Sequence, residues 1–308
     1  QPQLRETDQA PRQMQPDDRK LAPTSVPDFS GERAFKLLTK QTSFGPRDPN
    51  SLGHEKCLNY LIAELRNSAD DVRLQHFTHP GYDGKLLRLT NIIATFNPDA
   101  SARILLCAHW DSRPRADWDE DLDRRNEPIL GANDGASGVA VLLELASLMK
   151  EQSPRVGVDI VLFDGEDYGL EGDLKNYLLG SRYFAENKRA DYVPRFGLVL
   201  DLIGDKLLEI PREETSEKYA PDIVDLVWGK ARELGYYQFV DEIGEAVTDD
   251  HIPLNEVGIK TIDLIDFNYP DQTNRYWHTH QDTPDKCSAE SLEAVGTVVT
   301  HVVYTQLP

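Results

Sequence analysis

At 308 residues the chain has room for one large or two modest domains with an ample core. A hydrophobic fraction of 39% with 8% aromatics is that of a soluble globular protein, and no apolar run approaches the ~20 residues that span a bilayer. The formal charge of −20 argues against a nucleic-acid backbone or an anionic membrane surface as partner.

Residues 1–27 are polar, rich in Pro and Gln and without period, so they read as an extended arm ahead of a single unit over 28–308. A helix starts near Asp28 or Ser30, and a Gly/Pro-punctuated loop follows from Ser43 to His54. Leu58, Leu61, Ile62 and Leu65 then fall at i, i+3, i+4 and i+7, one face of a second helix. Val72–His76 and Leu86–Thr95 read as strands joined through a turn at 79–84, and Arg103–Ala108 as a buried strand. A charged loop fills 111–130; a Gly-rich turn, GANDGASG, then opens into the apolar helix Val139–Met149. The buried strand Val158–Phe163 ends in Asp164-Gly165 and presents Glu166 and Asp167, and a second long loop runs from Tyr168 to Gly180. A helix from Ser181, the strand Phe196–Leu200, the helix Asp222–Leu234, the strand Lys260–Ile265 and a helix N-capped by Ser288 complete the chain. Strands alternating with helices, with no repeat and no internal linker, predict one α/β domain. Its central sheet is twisted and largely parallel, with helices on both faces. Cys57, Cys107 and Cys287 lack CxxC spacing, which leaves one disulfide plus a free thiol, or three buried thiols.

Acids and histidines recur where strands end. His109 and Asp111 follow ILLCA, Asp134 lies in the Gly-rich turn, Glu166-Asp167 follow IVLFDG, Asp201 ends FGLVLD, and His278 sits in WHTH. In an open α/β sheet, ligands bind beyond the carboxyl ends of the strands. Any one of these residues has an ordinary explanation as a core histidine, a helix cap or a turn acid. Together they make the ligand chemistry of catalytic zinc, neutral imidazole plus carboxylate. Gly131 and Gly135 let the backbone come close to a metal, and Asp111 is placed to orient the His109 ring.

The series HWD, GANDGASG, DGED, LDLIG, DDHIP and WHTHQDT resembles the zinc-dependent aminopeptidase superfamily that also contains the glutaminyl-peptide cyclotransferases. The likeness runs from about Phe29 to Leu307. In the peptidases it implies two zinc ions: His109 and Asp201 on one, Asp167 and His278 on the other, Asp134 bridging and Glu166 as general base. In the cyclases it implies one zinc on Asp134, Asp167 and His278. Three features resemble the cyclase branch: Asp249-Asp250-His251-Ile-Pro, Trp277 directly before His278, and Asp201-Leu-Ile-Gly204. Three depart from it. Asp167 stands where animal cyclases carry Glu, the GANDGASG segment is closer to the peptidases, and the loop after Asp167 lacks the expected Trp, with Tyr177 the nearest aromatic. A bacterial relative of the animal cyclases reconciles all six.

The resemblance implies conversion of N-terminal Gln of peptides or proteins to pyroglutamate with loss of ammonia. Glu166 would shuttle the proton, Asp201 and Asp249 would share one, and Trp277 would pack on the substrate. The alternative is a di-zinc aminopeptidase. A silent binding domain on this fold ranks last, because base and ligands are all retained. Likeness to bacterial cyclases also implies a periplasmic or exported location, although no leader is visible; oligomeric state is left open.

Overall fold

A computed structural model describes residues 25–307. Most of the expected N-terminal arm therefore lies outside the described residues, and Ser25, Val26 and Pro27 adopt no regular structure. Eight helices and eight strands follow in chain order: α1 Gly31–Thr42, α2 Leu52–Ser68, β1 Asp71–Pro80, β2 Leu86–Phe96, β3 Arg103–His109, α3 Ala136–Glu151, β4 Gly157–Phe163 and α4 Leu179–Asn187. Then come β5 Gly197–Asp201, β6 Ile210–Arg212, α5 Glu214–Tyr219, α6 Pro221–Leu234, β7 Phe239–Ile243, α7 His251–Glu256, β8 Thr261–Ile265 and α8 Ala289–Thr305. Ser30 rather than Asp28 caps α1, its side chain accepting from the Arg33 amide; Ser51 caps α2 and Ser288 caps α8 in the same way. Gly235 ends α6 in the left-handed conformation expected of a C-cap glycine.

The main sheet runs β1-β2-β4-β3-β5-β8. β4, β3, β5 and β8 are parallel; β1 and β2 are added antiparallel on one side, joined by the turn foreseen at 79–84. Both faces are covered, so the central strands are buried throughout and their residues divide by parity. Ile104, Leu106, Ile160, Leu162 and Leu198 pack into a large core with α1, α2, α3, α6 and α8. Leu105, Cys107, Val161, Phe163 and Val199 meet α4 and α7 on the other face. A core helix must be apolar all round, and α3 is: 13 of its 16 residues are buried. Its one buried acid, Glu144, is matched by Arg33 from α1, whose Nε lies 2.9 Å from a carboxylate oxygen.

Three short elements escape the sequence pattern: the two-stranded parallel sheet of β6 and β7, and the six-residue helices α5 and α7. Each is too short for a period to show. The helix expected from Ser181 starts two residues earlier, at Leu179, and α3 begins inside the Gly-rich turn. All three cysteines are buried free thiols, which decides between the two readings of their spacing.

The β3–α3–β4 and β4–α4–β5 crossovers place α3 and α4 on opposite faces, so the strand order reverses around β3 and β4. A crevice opens at the carboxyl ends of the strands at such a point.

Candidate metal centre and active site

Every ligand singled out in the sequence converges on that crevice. His109 closes β3, Asp201 closes β5, Asp167 lies four residues beyond β4, Asp134 comes from the turn before α3, and His278 from the long segment between β8 and α8. Two groups form around a common carboxylate: His109, Asp134 and Asp201, and Asp134, Asp167 and His278. His109 Nε2 stands 3.2 Å from Asp134 Oδ1 and 3.2 Å from Asp201 Oδ1. His278 Nε2 stands 3.5 Å from Asp134 Oδ2 and 3.4 Å from Asp167 Oδ1. All five side chains are buried.

The local backbone is built for this meeting. Gly135 has φ +96°, and a Cβ there would lie 2.6 Å from His109 Cε1, so only glycine lets the turn close over the imidazole. Asp282 takes the amides of Asn133 (2.8 Å) and Asp134 (3.2 Å) on its carboxylate and accepts the Tyr269 hydroxyl at 2.8 Å, which fixes the turn carrying Asp134. His278 and Leu202, next to Asp201, both hold left-handed φ values of 54° and 51°. Non-glycine residues keep such backbone only where the surroundings enforce it. Asp111 does more than face His109, from which its Oδ1 lies 3.5 Å away. Its two oxygens also accept the amides of Glu166 (3.1 Å) and Asp167 (3.3 Å), so it sets the whole acidic turn. From below, Asp164 anchors the same turn to His54 Nε2 at 2.8 Å and to the Thr90 amide at 2.6 Å.

The electrostatics ask for a cation. Desolvation pushes the Glu166 and Asp167 carboxyls well above their usual range, and the repulsion of neighbouring acids adds to it. Burial carries Asp201 to about 7 against the pull of His109, with Asp249 and Asp134 nearby pushing the same way. Among the described residues, Asp167 Oδ2 is buried without a hydrogen-bond partner. Burial, then Arg113 and Arg115, depress the His278 imidazole, which keeps it neutral and able to donate a lone pair. An orphaned carboxylate oxygen, converging acids and a neutral imidazole fit a divalent metal with nitrogen and oxygen ligands.

The remaining residues line the approach. Trp277 stacks on His278 with ring centroids 3.7 Å apart, and Phe267 meets it edge-on at 5.2 Å. Tyr177 lies over the Arg113 guanidinium at 5.4 Å, on the Asp167 side of the crevice. Asp249 is buried, with Asp263 and Asp201 in its electrostatic range, and its Oδ1 accepts the Asp250 amide at 2.5 Å.

Two residues went unnoticed in the sequence. Arg113 Nη1 donates to Asp167 Oδ1 at 2.6 Å, and Trp118 stands 6.2 Å from Trp277, half exposed. Both lie in the charged loop 111–130, where an Arg among many charges and one Trp carry no periodic signal. That loop is strapped to the ligand segment: the Trp118 amide donates to the His278 carbonyl at 3.3 Å, and Asp119 accepts from the His280 amide (2.9 Å) and faces its Nδ1 (2.8 Å).

The chain belongs to peptidase family M28, whose family pattern matches residues 91–303 and so takes in every ligand above. The metal this family implies is zinc. Among solved structures, a glutaminyl cyclase of Bacteroides thetaiotaomicron bound to N-acetylhistamine is 41% identical. The match covers 92% of this chain and 100% of that one, with a TM-score of 0.87. A leucine aminopeptidase precursor of the same organism matches equally well, at 41% identity, 92% and 99% coverage and a TM-score of 0.87. The glutaminyl-peptide cyclotransferase of Drosophila melanogaster is 27% identical over 268 residues, 77% of this chain and 70% of that protein.

Proposed function

We propose that this chain is a glutaminyl-peptide cyclotransferase, which converts an N-terminal glutamine of a peptide or protein to pyroglutamate and releases ammonia. The observation that carries the reading is the aromatic wall beside the ligand His278, with Trp277 stacked on that ring and Trp118 opposite. Such a wall suits the flat amide and methylene stem of a glutaminyl side chain. The glutaminyl cyclases among its relatives support the same reading.

One zinc, on Asp134, Asp167 and His278, is the expected complement; bound there it would supply Lewis acidity to the side-chain carbonyl of the substrate. The protein's own work is positioning and proton transfer. The substrate's α-amine attacks its own Cδ, so a C–N bond forms within one molecule and orientation supplies much of the rate. Glu166, with its raised affinity for a proton, takes one from the attacking amine and returns it to the departing nitrogen as the amide C–N bond breaks. No water is consumed. Asp201 and Asp249 hold the hydrogen-bonded surroundings of that transfer, while Trp277, Trp118 and Tyr177 wall the substrate.

A specific observation keeps a second reading alive. The His109–Asp134–Asp201 group is fully assembled, as a di-zinc aminopeptidase would require, with Glu166 then activating water at the first peptide bond.

Zinc per chain, measured beside ammonia release from a Gln-initiated dipeptide amide and cleavage of a Leu-initiated chromogenic amide, separates the two. One zinc, ammonia from Gln and silence on Leu are expected. Two zincs with Leu cleaved would replace the cyclase by the peptidase.

A further inference from the structure

Beyond Phe267, the wall that starts at Trp118 and Trp277 borders a cavity of about 550 Å³. Its size falls in the ~300–1,000 Å³ range of ligand pockets. The floor is apolar: Ile243, Val247, Ile265 and Phe267 contribute to it, and the last three belong to the same packed cluster as Trp277. Phe267 therefore stands between this cavity and the Trp277 that stacks on His278. Ile243 is 70% exposed although its neighbours in the wall are buried or half-buried, an apolar surface that none of the described residues covers.

The rim is of one sign. Glu209, Glu242 and Glu245 are exposed around it, and among the described residues that line it there is no lysine, arginine or histidine. The nearby Arg212 is already committed, to Glu217 at 2.7 Å and Asp225 at 2.9 Å. Glu213 faces inward, but its oxygens are occupied by the amides of Thr215, Ser216 and Val247. The amide side chains of Asn268, Gln272 and Asn274 complete the lining and can meet peptide groups.

We infer that this groove receives the residues that follow the substrate's first one, and that it selects peptides with cationic side chains there; the inference rests on the cyclase reading for the direction in which the peptide leaves the metal centre. A peptide held by its first residue beside Trp277 must exit past one of the walls. The Phe267 side offers an apolar floor for side-chain stems and three carboxylates for their charged ends, which is how lysine and arginine are accommodated.

The test compares Gln-Ala-Ala-amide, Gln-Lys-Lys-amide and Gln-Glu-Glu-amide by ammonia release. The lysine peptide is expected to show a KM about fivefold below the alanine reference and the glutamate peptide a higher one, the scale of two exposed charge pairs. Since the whole protein is acidic, E242Q/E245Q must abolish the preference, whereas E151Q/E186Q, on other elements, must keep it. Turnover with equal KM values, or a preference that survives E242Q/E245Q, overturns the groove alone. Absence of ammonia from all three peptides overturns the cyclase reading and the groove's assignment with it.

Discussion

Arg113 holds Asp167 twice, its Nη1 donating to the carboxylate Oδ1 at 2.6 Å and to the main-chain carbonyl at 3.1 Å. One oxygen of the carboxylate is thereby engaged, and Oδ2 is the one without a partner among the described residues. The guanidinium thereby fixes the orientation of the carboxylate that would help hold a metal, the office that outer hydrogen bonds usually perform at metal sites. Arg113→Ala is expected to weaken zinc binding by about 10- to 100-fold. Competition with a fluorescent chelator measures it, and unchanged affinity would make Arg113 a packing residue only.

Glu166→Gln keeps the shape of the side chain and removes its ability to accept and return a proton. Turnover should fall by about 10²–10⁴-fold while zinc content is unchanged. Turnover close to that of the parent would take Glu166 out of the chemistry under either reading.

The aromatic wall is a binding device, so its loss should show in KM. Trp277→Ala and Trp118→Ala are each expected to raise KM about tenfold, with kcat affected less. Trp118 separates wall from core: half exposed, it can be removed with little effect on the unfolding midpoint. If Trp118→Ala leaves KM where it was, the wall consists of Trp277 alone.

Gly135 and Gly229 make a matched pair. The first has φ +96° and the His109 ring 2.6 Å from where a Cβ would stand; the second is inside α6 with open space around it. Gly135→Ala should cost about 1–3 kcal/mol in strain and displace His109, whereas Gly229→Ala should gain about 0.5–1 kcal/mol. Urea unfolding of both variants checks the pair, and equal effects would remove the steric argument at the Gly-rich turn.

Acid stability should carry the mark of Glu213. Burial works to raise its carboxyl, yet His251, Ser216 and the Val247 amide hold it down at about 2, below its ordinary 4.5. A carboxyl depressed in the folded state stabilises above its unfolded pKa and loses that contribution as pH falls through the folded one. Glu213→Gln should therefore be less stable than the parent at pH 7, and the gap should close between pH 4.5 and 2. A gap that stays constant across that window would show that the ionised form is not what matters.

What the sequence made legible follows from the physics of each segment. Long elements announce themselves: the Leu58–Leu65 face, the buried run at Ile160–Phe163 and the capped helix at Ser288 all formed where their patterns place them. The ligands were legible because parallel strands must end somewhere, and His109, Asp167 and Asp201 stand at or just beyond those ends. Trp118 and Arg113 were not, because their partners lie about 54 to 160 positions away and no local period encodes such a meeting. The β6–β7 ribbon was missed for a related reason, three and five residues being too few to alternate visibly.

Cys57, Cys107 and Cys287 are all the chain's cysteines, and each is a buried free thiol. Burial pushes the Cys57 thiol up to about 12 and raises the other two well above their ordinary value, so the nucleophilic thiolate is withheld at neutral pH. No disulfide waits to be reduced, and none of the three cysteines offers an exposed thiolate to an oxidant or an alkylating agent at neutral pH. As far as its cysteines are concerned, the fold is held together without any bond that the redox poise of its surroundings could make or break.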